Sequence, residues 1–337
     1  MLLRRLLPAV AVASLLATPD AAGAVSQVPA KVTVQQSPSG QWTYAVDGQP
    51  EPFIGMGYNP IYGPLRYDQR AGAYYRDFKL LCEAGVNTIT GWDADKGYEQ
   101  DTFGELTLDA AYKYGIGVVM PFYLPVDGDY ADPAFTQQLM ASATAKIARY
   151  KNHPALRMWG AGNEVLVDMS PDKYPAFMDF YLRLADLFHS QDPNHPVIYR
   201  DAEDRSVPVI ANALGASGDS RPWLLYGMNI YNKDPGPLLD AWPSHGLNRP
   251  LLVSEFGFDA AFGDGRAQGY AMMWRGIRAR SDFVLGGAPY AWTTAGPEPT
   301  DTIWGLTNGE AQPVDSTFDT LRQLWLQEPG ARRNCSG

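Results

Sequence analysis

The 337-residue sequence predicts one α/β domain closed as a (β/α)8 TIM barrel and preceded by a short N-terminal β-hairpin. Short apolar runs alternate with amphipathic segments from about residue 53 onward, the pattern of a parallel sheet with helical crossovers. Eight such runs occur, at 53–58, 86–91, 116–122, 156–162, 196–200, 224–230, 250–254 and 284–291, and eight strands close a barrel. An open, doubly wound sheet usually carries a Gly-rich phosphate turn. Gly55-Met56-Gly57 starts one, but Pro60 stands where the third glycine belongs.

Met1-Leu-Leu-Arg4-Arg5, an apolar run to Leu16 and Ala22-Gly-Ala24 have the layout of a secretory signal over residues 1–24, too short in its apolar part for a membrane span. Residues 25–40 are polar and read as a flexible tether. Gln41 to Val46 alternates, and Asp47-Gly48 supplies a hairpin turn. Asp132-Pro133 caps a helix whose Phe135, Leu139, Ala143 and Ile147 recur every four residues. Ser170-Pro171 opens another, with Phe177, Phe180, Tyr181, Leu184, Leu187 and Phe188 as its apolar stripe. A last helix carries Phe318, Leu321, Leu324 and Trp325. With no repeat or linker inside, 41–330 is expected to be one catalytic domain and 331–337 a tail.

Net charge is −10, and −11 once Arg4, Arg5 and Asp20 leave with the signal, which argues against nucleic acid and polyanionic glycans as partners. Nine Trp and nineteen Tyr suit sugar stacking as well as core packing. Cys82 falls at the end of the first helix and Cys335 just beyond the last. These helices are neighbours in a closed barrel and end on the same rim, so a Cys82–Cys335 bridge is expected. An exported protein, secreted or periplasmic, maintains such a bridge.

Two apolar runs end in a carboxylate: Leu156 to Asn163-Glu164, and Pro250-Leu-Leu-Val-Ser254-Glu255. Glu164 ends the fourth strand and Glu255 the seventh, so a ring of eight places them across the barrel mouth, where barrel active sites lie. Paired carboxylates are what glycoside hydrolysis requires. A gap of about 5–5.5 Å fits acid/base and nucleophile with retention, and about 6.5–9.5 Å fits an inverting water.

Lys151-Asn-His-Pro154 through Trp159-Gly-Ala-Gly-Asn163-Glu164-Val165, with Ser254-Glu255-Phe-Gly257, resembles the clan-A retaining glycoside hydrolases, in particular the catalytic domains of families 2 and 5 and the β-glucanosyltransferases. The likeness covers roughly 41–327, from Val46-Asp-Gly-Gln-Pro50 and Gly57-Tyr-Asn-Pro60 to Gly305-Leu-Thr-Asn-Gly309 and Leu321-Arg-Gln-Leu-Trp325. It implies Glu164 as acid/base, Glu255 as nucleophile, Asn163 on the sugar 2-hydroxyl, Tyr231 orienting the nucleophile and Trp292 flooring the sugar. A phenol hydrogen bond keeps the nucleophile ionised, while the acid/base needs a raised pKa. The sequence departs from this clan at the second strand, where Thr90 stands in place of its arginine, and at the third, which ends in Phe122-Tyr123 rather than a histidine pattern.

Tyr58, Asn59, Trp92, Asp93, Tyr123, Asp201 and Glu203 also fall at strand ends and are candidate substrate contacts. No cofactor is expected, nor a metal: Asp93-Ala-Asp95-Lys-Gly97 imitates a calcium loop, but Gly104 replaces its bidentate glutamate, and the four histidines are scattered. The reading is a secreted retaining β-glycoside hydrolase acting on a neutral carbohydrate, with no nucleic-acid partner, no membrane attachment after signal cleavage and an open oligomeric state. The alternatives are a transglycosylase using the same residues and a non-catalytic carbohydrate-binding barrel.

Overall fold

A computed structural model describes residues 28–92, 102–218, 221–231, 233–263, 265–332 and 334–336. The signal segment, Asp93 and the Asp93–Gly97 stretch lie outside these. Three strands, β1 (Val32–Gln36), β2 (Trp42–Val46) and β3 (Gln49–Pro50), form an antiparallel sheet. Eight more close a parallel barrel in chain order: β4 (Phe53–Gly57), β5 (Thr88–Thr90), β6 (Gly117–Phe122), β7 (Leu156–Asn163), β8 (Val197–Ala202), β9 (Leu224–Ile230), β10 (Leu251–Phe256) and β11 (Val284–Pro289), which pairs back to β4. The helices are α1 (Tyr67–Glu83), α2 (Glu105–Lys113), α3 (Pro133–Tyr150), α4 (Tyr174–Gln191), α5 (Val207–Ala216), α6 (Gly236–Ala241), α7 (Gly265–Arg278), α8 (Asp301–Trp304) and α9 (Thr317–Trp325).

The barrel strands are buried nearly end to end because helices cover one face and the opposite wall covers the other. Helix α3 starts where expected, its Asp132 side chain accepting from the Ala134 N–H at 2.9 Å with Pro133 in the first turn. In α4, Phe177, Phe180, Tyr181, Leu184 and Phe188 are buried against the barrel, as their spacing predicted. Inside the barrel, Phe53, Val119, Met158, Ile198, Leu225, Leu252 and Leu285 make an apolar layer continuous with Val32, Tyr44 and Val46 of the small sheet. That sheet therefore plugs the N-terminal end of the barrel.

One sequence expectation is corrected here. The polar composition of 25–40 predicts a tether, but Val32–Gln36 pairs along its length with β2, from Val32 opposite Val46 to Gln36 opposite Trp42. Only Val32 of these five residues is fully buried, so the strand is held by its ladder and carries little apolar signal. The Asp47-Gly48 turn joins β2 and β3 with positive φ at both residues (51° and 77°), the backbone of a tight type I′ hairpin.

The tail lies on the plugged face. Cys335 is disulfide-bonded to Cys82 of α1 with Cα atoms 5.8 Å apart. The Arg332 N–H donates to Gly85 O at 3.2 Å and its Nε to Gly115 O at 2.6 Å, in the loops that lead into β5 and β6. The opposite face is left to the site.

Candidate active site

The strand C-termini open into a cavity of about 360 Å³, walled by Glu164, Glu255, Trp92, Tyr231, Tyr290 and Trp304 among others. Its size falls in the range of small-molecule pockets.

Glu164 is the first residue past β7. Its backbone is left-handed (φ 52°), a conformation costing an L-residue about 1–2 kcal/mol. Its N–H is held by Arg200 O at 2.9 Å, which turns the side chain into the pocket. Asn229 of β9, fully buried, donates Nδ2 to Glu164 Oε1 at 2.9 Å and to Asn163 Oδ1 at 3.2 Å. The Ser254 hydroxyl donates to Asn229 Oδ1 at 2.7 Å and fixes which end of that amide faces the acid. Burial pushes the Glu164 carboxyl above its ordinary pKa, and the charges of Asp201 and Asp168 add to the rise. Asn229 and Arg200 oppose it.

Glu255, on β10, is held at both oxygens. Trp92 Nε1 donates to Oε1 at 2.7 Å and the Tyr231 hydroxyl to Oε2 at 2.6 Å. The Tyr231 ring is 36% exposed, yet its hydroxyl is turned inward. Burial, followed by the charge of Glu164, pushes the Glu255 carboxyl up to about 7. The bond from Tyr231, the charge of Arg200 and the bond from Trp92 pull it back down. The charge of Glu164 thus disfavours a second charge on Glu255. An indole N–H can only donate, so Oε1 of Glu255 must accept. Glu164 accepts from a single amide.

Other expected contacts fall differently. The sequence reading set Trp292 beneath the sugar, but the ring is buried in the wall against Phe318, centroids 5.6 Å apart, and does not line the cavity. The chain turns out of β11 at Pro289, so Tyr290 is the aromatic that faces inward. It packs edge-on to Trp92 at 5.0 Å and donates its hydroxyl to Asp301 at 2.6 Å. Glu203 is likewise corrected: its N–H bonds Asn229 O, its carboxylate lies 3.7 Å from Arg205, and it does not line the cavity.

Tyr58 backs the cavity, but its hydroxyl is given to Asp77 at 2.9 Å. Asn59 lines it while using both amide ends on the backbone of Thr293, at 2.9 Å each, which clamps the loop after β4 to the one after β11. Asp201 is buried outside the cavity, accepting from the Tyr199 hydroxyl at 2.7 Å and the Ala202 N–H at 2.8 Å. Tyr123 lines the cavity with a partly exposed ring, and Asn163 lines it beside Glu164. Three residues went unnoticed in the sequence: Asn229, Tyr290 and Arg200. Asn229 and Arg200 shared one available signal, a polar side chain inside a strand that begins with apolar residues.

The model of the family 2 glycosyl hydrolase TIM barrel domain matches residues 76–284. A β-mannosidase of Mus musculus is 25% identical over 200 residues, 54% of this chain and 21% of that protein. A β-galactosidase of Lactococcus lactis subsp. lactis (strain IL1403) is 24% identical over 232 residues, 66% of this chain and 20% of that protein. The chain thus spans about one fifth of the length of these relatives. Among solved structures, a GH2 β-galacturonidase from Eisenbergiella tayi bound to galacturonate superposes with a TM-score of 0.67 at 16% identity, over 90% of this chain and 55% of that one. A β-D-glucuronidase of Dictyoglomus thermophilum gives 0.66 at 19%, over 90% and 54%. At these identities the structural likeness speaks to the fold alone.

Proposed function

Since this chain belongs to glycosyl hydrolase family 2, we propose that it is an exported β-glycosidase that cleaves a neutral β-linked glycan or oligosaccharide with retention of configuration. The observation that carries the reading is the unequal holding of two carboxylates at one cavity. Glu255 is clamped by a phenol and an indole, and Glu164 by a single amide.

In the first step a Glu255 oxygen bonds to the anomeric carbon as its bond to the leaving oxygen breaks. The proton on Glu164 passes to that oxygen. In the second step the Glu164 carboxylate takes a proton from water. The water oxygen bonds to the anomeric carbon and the ester bond to Glu255 breaks, returning both groups to their starting forms. Asn163 would contact the 2-hydroxyl, and Tyr231 and Trp92 hold the attacking carboxylate in place. Export rests on the leader-like first 24 residues and on the Cys82–Cys335 bridge, which an oxidising compartment preserves.

The test is a panel of aryl β-glycosides with β-glucans, β-mannans and β-galactans, followed by NMR of the anomer first released. First release of the β-anomer supports retention. First release of the α-anomer, or no cleavage of any member, defeats the reading.

A further inference from the structure

Above the apolar layer, the barrel interior turns polar, and a buried cation crosses it. Arg200 projects inward from β8 and is 2% exposed. Its Nη1 donates to Thr90 Oγ1 at 3.1 Å and to Gly91 O at 2.8 Å, at the end of β5, three strands away around the barrel. The neighbouring strands are cleared for it. Gly227 sits opposite Arg200 in the β8–β9 register, and a Cβ there would lie 2.9 Å from Arg200 Cγ. On the other side, a Cβ on Gly160 of β7 would lie 3.3 Å from both Cζ and Nη2 of Arg200. Burying a guanidinium costs several kcal/mol unless it is compensated. A Cβ at Gly227 would also lie 2.7 Å from Ser254 Oγ, and one at Gly160 3.2 Å from Val119 Cγ1, so both glycines sit in an interior closely packed around the guanidinium. Among the described residues lining the cavity, Arg200 is the one cation, set with Glu164, Glu255 and Glu298.

We propose that Arg200 is a positioning residue for the reaction, a fixed positive charge aimed across the barrel by Thr90 and Gly91 that lets the Glu255 carboxylate stay anionic beside Glu164. The proposal rests on the two-glutamate reading of the pocket. The groups that face Glu255 are Glu164 from β7, Trp92 after β5, Tyr231 after β9, Tyr290 after β11 and Arg200 from β8. Those around Glu164 are Asn229, Asp201, Asp168 and Arg200. Arg200 opposes the rise of both carboxyls, and in each case it works against burial.

The experiment is a ¹³C-NMR titration of the full chain labelled at the glutamate carboxyl carbon, with Glu255 and Glu164 assigned through Glu255→Gln and Glu164→Gln. Wild type is compared with Arg200→Gln, Arg200→Lys and Thr90→Val. The expected result is a Glu255 midpoint raised in Arg200→Gln by about 1 pH unit or more, the usual effect of losing a nearby opposite charge. Arg200→Lys should move it less, and Thr90→Val slightly upward. Kinetically, the acid limb of kcat/KM should follow the same order. A merely structural arginine would lower the melting temperature and leave the midpoint in place, and that result overturns the proposal. Should Arg200→Gln fail to fold, an unmoved midpoint in Thr90→Val does the same. The titration needs no substrate, so an inactive wild type would defeat the glycosidase reading and leave the question of Arg200 to the midpoints.

Discussion

Replacing Glu255 by Gln should abolish turnover and yet stabilise the protein, by an amount that grows from about pH 4.5 and levels off above about pH 7. The carboxyl is raised from 4.5 to about 7 in the folded protein by its burial and by Glu164. A group whose folded pKa lies above its unfolded value stabilises the fold fully below the unfolded pKa, here about 4.5, and loses that contribution as pH rises through about 7. At about 1.4 kcal/mol per unit, the ionised form costs the folded state about 3 kcal/mol at pH 8. Gln has the same shape and no charge. Its carbonyl can accept from Trp92 Nε1 while its amide donates to the Tyr231 oxygen, so neither partner is stranded. Unfolding entropy of about 2.1 cal/mol/K per residue, over roughly 300 residues, converts 3 kcal/mol into a Tm gain of about 5 °C. Differential scanning calorimetry of wild type and variant at pH 4.5 and pH 8 checks it. The variant should melt with wild type at pH 4.5 and above it at pH 8. Equal Tm at pH 8, or the same gap at both pH values, would refute the account of Glu255 as a carboxyl held above its normal range by its surroundings.

Four further outcomes rest on the geometry of the pocket. Glu164→Ala should cut kcat on glycosides with poor leaving groups by about two to four orders of magnitude, the usual worth of a general acid, and far less on dinitrophenyl glycosides. Equal losses on both would remove Glu164 from the acid role. Tyr231→Phe deletes the shorter of the two bonds to Glu255, and because that bond lowers the carboxyl's pKa, the acid limb of the kcat/KM profile should move to higher pH. A fixed limb would count against the contact. Trp292→Phe should leave kcat/KM near wild type at a stability cost of about 1–2 kcal/mol from the space it opens. Tyr290→Ala should lower kcat/KM at least tenfold, about 1.4 kcal/mol of transition-state binding. Urea titration beside steady-state kinetics separates the two, and the reverse pattern would restore Trp292 to the pocket.

What the sequence carried was local. All eight barrel strands lie within two or three residues of the apolar runs that announce them, because strands buried on both faces need little but apolar side chains. Glu164 and Glu255 stood out for the same reason, as acids at the ends of such runs. What it hid depends on contacts between distant strands. Asn229 reads as one polar residue in Leu224–Ile230 until Glu164, Asn163 and Ser254 are seen around it. Arg200 gains its meaning from Thr90, 110 positions earlier. The error at Trp292 has a geometric origin: Pro289-Tyr-Ala-Trp292 offers two aromatics two residues apart, and the place where the strand ends decides which one points inward. Strand β1 escaped notice because its Thr33, Gln35 and Gln36 pair through backbone rather than through apolar faces.

The bond between Cys82 and Cys335 also sets how the molecule comes apart. Its closed loop, with a sequence separation of 253, threads β5 through β11, while the plug sheet and β4 lie on the stretch of chain ahead of it. In covalent terms residues 82–335 form a ring, and the eighth place in the barrel is filled by the chain ahead of that ring folding back. A protease that nicks any rim loop between the two cysteines opens the ring without producing two molecules. Such a nicked enzyme keeps its halves in register around the pocket and migrates as one species until a reductant is added. Cleavage ahead of Cys82, by contrast, frees the plug and β4 to leave, and the barrel loses a stave.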